Sequence, residues 1–123
     1  MTKLIAYSRI YTDVLRRRRM CLCGMLAADY DTLPEPMRDA VVRFFDHNET
    51  WLAGVFQQGN ADGSLHVDGS ASDAARALVG GLEGAMLIAR PYGELSRFEA
   101  AASRLLASLA RAAPPDRAAV PDA

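Results

Sequence analysis

Residues Asp73–Arg90 read DAARALVGGLEGAMLIAR, a helix-forming run that is apolar on two sides with one narrow charged seam. At roughly 100° per residue, Ala75, Leu78, Val79, Leu82, Ala85, Met86 and Ala89 share one face, while Ala77, Gly80, Gly81, Gly84, Leu87 and Ile88 cover most of the opposite one. Arg76, Glu83 and Arg90 form the seam between them. A surface helix of a monomer needs one buried stripe, so a second face built from Gly and Ala calls for another helix at close range, from a second copy of the chain. The pattern leaves open which face meets the chain's own core and which meets the partner.

The rest of the chain supports a small helical unit. With 123 residues, half of them hydrophobic, it can bury one core as a single domain without disulfides or metal. Ala, Leu and Arg abound while Ile, Thr and Val are sparse, which points to an all-α fold of about five helices. The most apolar run, Ala77 to Ala89, is too short to span a bilayer and carries Glu83. The start, MTKLIAYSRIYTD, is amphipathic and lacks the apolar segment of a cleavable signal, so a cytoplasmic location is expected and no membrane association.

The net charge of −1 conceals an asymmetry, since the first nineteen residues hold six basic groups against Asp13 alone. Four of these, Arg16 to Arg19, are consecutive; on a helix they point in four directions and make no single-faced nucleic-acid patch. They close the first helix, where cations favour the dipole. Arg18 continues the stripe of Leu4, Tyr7, Tyr11, Val14 and Leu15, and needs to snorkel or find an acidic partner.

Breaks divide the sequence into helices over Lys3 to Arg19, Met20 to Tyr30, Pro34 to Gln58, Asp73 to Arg90 and Ser96 to Arg111. MCLCGMLAA is apolar all round and reads as buried. The long third helix sets Val41, Phe44, Phe45, Asn48, Trp51, Leu52, Val55 and Phe56 on one face, with Gly59 as its stop. NADGSLHVDGSAS is a turn-rich loop whose alternation at Leu65 and Val67 is too short for a sheet. Ser70 and Asp73 cap the two-faced helix and Pro91 ends it. The last helix buries Phe98, Ala101, Ala102, Leu105, Leu106 and Leu109. The domain is expected over 1–112, with a disordered tail over 113–123.

Chemistry is sparse. Cys21 and Cys23 lie about 200° apart on a helix, so they cannot share one ion or bridge each other; they are buried structural cysteines or include a reactive thiol facing a pocket. His47 and His66 show no ligand spacing, and no Glu-x-x-His pair exists for a di-iron site. No catalytic residue, metal or cofactor is expected. Asn48, polar in the middle of an apolar stripe, needs a partner: either a neighbouring helix or a bound apolar ligand that it orients.

The stretch MCLCGMLAADYDTLPEPMRDAVVRFFDHNETWLAGVFQQG, then ASDAARALVGGLEGAMLIAR and RFEAAASRLLASL, resembles the C-terminal regulatory half of TetR/AcrR-type bacterial transcriptional repressors. The likeness runs from Met20 to Leu109 in order. It implies that the last two long helices form a four-helix dimer bundle, with Leu78, Leu82, Ala85, Met86, Ala89, Phe98, Ala102, Leu105 and Leu109 at the homodimer interface. It also implies that the preceding helices enclose an effector pocket, where a hydrophobic or electrophilic small molecule meets Tyr11, Cys21, Met25, Asn48, Trp51 and Leu52. The sequence starts within what looks like the first regulatory helix, so no helix-turn-helix precedes it and direct DNA binding is not expected of this chain. Two further readings stand beside this one: a structural helical dimer with a filled core and no ligand, including a remnant that acts on a full-length relative, and, a distant third, an enzyme, for which the sequence lacks a nucleophile with a nearby base, a metal set or a phosphate loop.

Overall fold

The computed structural model describes residues 1–112, and the tail expected over 113–123 lies outside them. Five helices follow one another: α1 (Thr2–Arg16), α2 (Leu22–Ala28), α3 (Glu35–Asp62), α4 (Ala71–Tyr92) and α5 (Leu95–Leu109). A 3-10 turn, Tyr30–Thr32, leads into α3, and two short strands, β1 (Leu65–His66) and β2 (Arg111–Ala112), pair antiparallel. Helix α4 is central, packed along both α3 and α5, and α1 lies against all three.

The core forms where apolar positions at helical spacing converge. Leu4, Tyr7 and Tyr11 of α1, Leu52 and Phe56 of α3, Leu78, Leu82 and Met86 of α4, and Phe98 and Leu106 of α5 belong to one buried cluster. Each fully buried aliphatic side chain contributes about 1.5–3 kcal/mol relative to exposure. Gly81 lets α5 approach, because a Cβ at that position would run into the Leu105 side chain.

This packing shows which face of α4 meets the chain's own core. Leu78, Leu82, Met86 and Phe98 are completely buried within one protomer, with Ala89 and Ala102 nearly so. Ala85, Leu105 and Leu109 are partly buried against the same core. Leu78, Leu82, Met86, Ala89, Phe98 and Ala102 are thus taken up by the chain's own fold, while Ala85, Leu105 and Leu109 keep part of their surface exposed. The other face of α4 is open: Leu87 and Ile88 are each 61 % exposed, and nothing lies within 4 Å of where a Cβ on Gly80 or Gly84 would sit.

Several element ends differ from expectation for local reasons. Helix α1 stops at Arg16 because Arg18 turns left-handed, at φ 56, so that the Arg18 N–H donates to the Leu15 carbonyl and the Arg19 N–H to the Val14 carbonyl. This is a Schellman cap with arginine in the usual glycine position. Arg18 therefore leaves the α1 stripe, and its carbonyl accepts from Arg90 Nη2 at 2.9 Å. Helix α2 has no buried residue, contrary to the expectation for its apolar sequence; Leu22 is 67 % exposed. Helix α3 continues past Gly59 to Gly63, whose φ of 77 provides the left-handed cap. Gly59 is instead a packing position, since a Cβ there would stand 2.5 Å from Leu65 Cδ1.

The loop expected after α3 contributes a strand after all. Leu65 pairs with Ala112 and His66 with Arg111, and Asp68 accepts from Arg111 Nη2 at 3.0 Å while lying 3.0 Å from His66 Nε2. Ser70 caps α4 as expected, accepting from the Asp73 N–H at 3.3 Å. Pro91 is accommodated inside the last turn, and the helix ends at Gly93, φ 63.

Candidate functional site

Tyr7 and Tyr11 stand one turn apart on α1, so both phenols project between α3 and α4. Their rings are 5.7 Å apart and tilted by 56°, with the hydroxyls separated by 3.4 Å. Each hydroxyl donates elsewhere. Tyr7 donates to Asn48 Oδ1 on α3 at 2.8 Å, and Tyr11 donates to Glu83 Oε1 on α4 at 3.1 Å. Asn48 in turn donates from Nδ2 to the Phe44 carbonyl one turn earlier, at 2.8 Å. Every polar group in this row has a partner, and the row crosses the interior from α3 through α1 to α4.

Aromatic faces flank it. Trp51 stacks on Tyr7 at 6.0 Å with a 26° interplanar angle, and Phe98 stacks on Tyr11 at 6.1 Å and 20°. On the other side of Glu83 lies the start of α2. Gly24 fits there only because it has no Cβ, which would collide with Glu83 Oε2. The Cys21 N–H donates to Met86 Sδ at 3.3 Å, and its thiol faces Glu83.

Burial and the Glu83 charge set the acid–base character of the site. The Cys21 thiol is pushed up to about 11, first by burial and then by the Glu83 carboxylate nearby. Cys23 is raised for the same two reasons. Burial raises Tyr7 and Tyr11 as well, with the Glu83 charge adding to both. A nucleophilic thiol needs the opposite surroundings, namely positive charge and a lowered pKa.

The structure brings Tyr11, Cys21, Asn48 and Trp51 around this row and sets Leu52, fully buried, in the core beside it. Met25 is 53 % exposed and takes no hydrogen-bonding part. An enclosed cavity was expected here, but Tyr7, Tyr11, Leu52 and Phe56 fill the interior. Two clefts open elsewhere: one of 490 Å³ at the ends of α1 and α4, lined by Arg16, Arg18 and Arg90, and one of 630 Å³ between α1 and α5, lined by Ser8, Thr12 and Glu99. Sequence reasoning passed over Tyr7 and Glu83. Two tyrosines four apart on a core stripe, and a lone acid beside the buried face of α4, were the available signals.

Residues 1–105 match the family described as tetracyclin repressor-like, C-terminal domain. The chain belongs to this family. Solved structures agree with the assignment. A TetR-family transcriptional regulator from Agrobacterium tumefaciens is 28 % identical, with a TM-score of 0.84 over 89 % of this chain and 59 % of that one. The regulatory protein TetR from Rhodobacter sphaeroides shares the fold at 23 % identity and a TM-score of 0.78, covering 88 % and 59 %. A TetR transcriptional regulator from Legionella pneumophila does so at 20 % and 0.64, covering 86 % and 69 %. No curated protein matches the sequence significantly. The TetR-type domain thus spans about three-fifths of the length of the first two solved relatives. No helix among the described residues of this TetR-type domain is long and apolar enough to cross a membrane.

Proposed function

We propose that this chain is the effector-binding and dimerisation domain of a TetR-type transcriptional regulator, working in the cytoplasm as a homodimer. The observation that carries the effector role is the row Asn48–Tyr7–Tyr11–Glu83. Four polar side chains inserted between apolar helices stabilise a fold less than aliphatic packing of similar volume, and their fixed geometry suits recognition instead. Half-exposed Trp51 at one end and α2, with no buried residue, at the other leave the row within reach of a small molecule. The raised Cys21 thiol argues for a hydrophobic ligand held by hydrogen bonds and contacts in preference to an electrophile captured covalently.

Dimerisation is assigned to the open face of α4, Ala77, Gly80, Gly84, Leu87 and Ile88, where small residues allow a second helix close approach. Binding of operator DNA belongs to the whole regulator and is proposed only for a protein of the relatives' full length. A thermal-shift screen of hydrophobic metabolites, read beside the fluorescence of Trp51, tests the effector role. Selective stabilisation by one chemical class is the expected result. Uniform indifference across the screen favours the second reading, a structural dimer module, which the filled interior around Tyr11 and Leu52 supports.

A further inference from the structure

The ends of α1 and α4 lie side by side and frame the 490 Å³ cleft, a volume within the roughly 300–1,000 Å³ of small-molecule sites. Its lining is apolar at Leu15, Pro91 and Leu95 and basic at Arg16, Arg18 and Arg90. The one acid that lines it, Glu94, is taken by Arg97 at 2.8 Å. Among the described residues no carboxylate lies within ion-pair distance of Arg18 or Arg90, and Arg16 meets only Asp13, at 3.8 Å. The bond from Arg90 Nη2 to the Arg18 carbonyl, at 2.9 Å, ties the two basic residues together across the cleft.

Cations at a helix C-terminus ordinarily offset its unpaired carbonyls. Here backbone N–H groups already do so: those of Arg17, Arg18 and Arg19 bond the carbonyls of Asp13, Leu15 and Val14, and that of Gly93 bonds those of Ala89 and Arg90. Arg18 also stands in left-handed backbone, φ 56, where glycine would be unstrained. A side chain kept there at a conformational cost points to a role beyond the turn, since strained residues cluster at ligand sites. Guanidinium groups without a carboxylate, beside an apolar wall, suit an anionic head on a hydrocarbon body. We propose that this cleft binds a small organic anion, a carboxylate or phosphate ester on a short apolar chain, with Arg18 and Arg90 as its charge partners. The cleft shares no residue with the row Asn48–Tyr7–Tyr11–Glu83, so the proposal stands independently of an effector there.

The test uses four probes with one hydrocarbon chain and different heads: hexanoate, hexyl phosphate, hexanol and hexylammonium. Each is titrated calorimetrically into the chain. At least one of the two anions is expected to bind at least about tenfold more tightly than hexanol and hexylammonium. The tighter anion identifies the head group, carboxylate or phosphate. Arg18→Gly removes a guanidinium while easing the backbone, so its melting temperature should not fall, yet it should weaken the anion at least about tenfold. Arg17→Ala removes the same charge one residue away, outside the cleft lining, and should change the affinity less than about twofold. Equal losses in Arg18→Gly and Arg17→Ala overturn the proposal, because they describe a diffuse basic surface without a site. Binding of hexanol as tight as that of the anions, or no heat from either anion, overturns it as well.

Discussion

Burial, with one carboxylate adding to it, sets the reactivity of Cys21. Glu83 sits against Cys21, and burial together with that charge pushes the thiol up to about 11. At pH 8 a thiol of that kind is ionised at roughly one part in a thousand, against about a quarter for a free cysteine. Iodoacetamide should therefore modify Cys21 far more slowly than a free thiol in the native chain. The rate should rise severalfold in Glu83→Gln, because removing a negative charge lowers the thiol pKa; fragment mass spectrometry separates Cys21 from Cys23. Rapid labelling of unmutated Cys21 at neutral pH would falsify this account. The tyrosines carry a second consequence. Their folded pKa values lie above the unfolded value near 10, so the neutral phenols stabilise the fold fully below pH 10, and that contribution is lost as pH rises above it. Thermal melts should show stability falling above pH 10, and less steeply in the double variant Tyr7→Phe, Tyr11→Phe.

At the scale of elements, the backbone at Arg18 and the close approach at Gly59 make opposite predictions for glycine. Arg18 occupies the left-handed position of a Schellman cap, which costs a non-glycine residue about 1 kcal/mol. Arg18→Gly should raise stability by about 0.5–1 kcal/mol in urea titrations, since the Arg90 bond is made to the carbonyl and survives. Gly59→Ala should lower it by about 1–3 kcal/mol, because the new methyl meets Leu65 from Cβ to Cδ1 within the core. These two positions also explain where sequence reading stopped. The five helices and the stripes of α1, α3 and α5 were legible because helical period and burial coincide in them. Gly59 looked like a stop because a glycine fixed by a neighbour's side chain and a glycine fixed by its own φ are alike in sequence. Helix α2 reads as buried from composition, yet Leu22 stays 67 % exposed, because burial depends on which elements the fold brings against a helix and not on its own residues. The β1–β2 clip joins residues nearly fifty apart, and no local pattern announces it.

At the scale of the whole molecule, the two apolar faces of α4 were visible from the start, but only packing could assign them. Both are built from similar residues, and the choice depends on where α3 and α5 lie. With Leu78, Leu82 and Met86 enclosed in the protomer, the face of Gly80, Gly84, Leu87 and Ile88 stays open and is the one proposed for dimerisation. This makes a substitution that separates folding from assembly. Nothing lies near the Cβ position of Gly84, so Gly84→Arg clashes with no part of its own protomer and replaces a poor helix former with a good one. The protomer should keep its stability or gain up to about 1 kcal/mol. In a dimer packed through this face, the same arginine wedges two helices apart and buries a charge without a counter-ion. Sedimentation velocity on the unmutated chain should give a dimer at micromolar concentration, and Gly84→Arg should weaken its Kd at least ~100-fold, equivalent to about 2.7 kcal/mol. Gly54→Arg, at an equally open position on α3, should leave assembly unchanged. A dimer indifferent to Gly84→Arg but disrupted by Gly54→Arg would move the interface from α4 to α3.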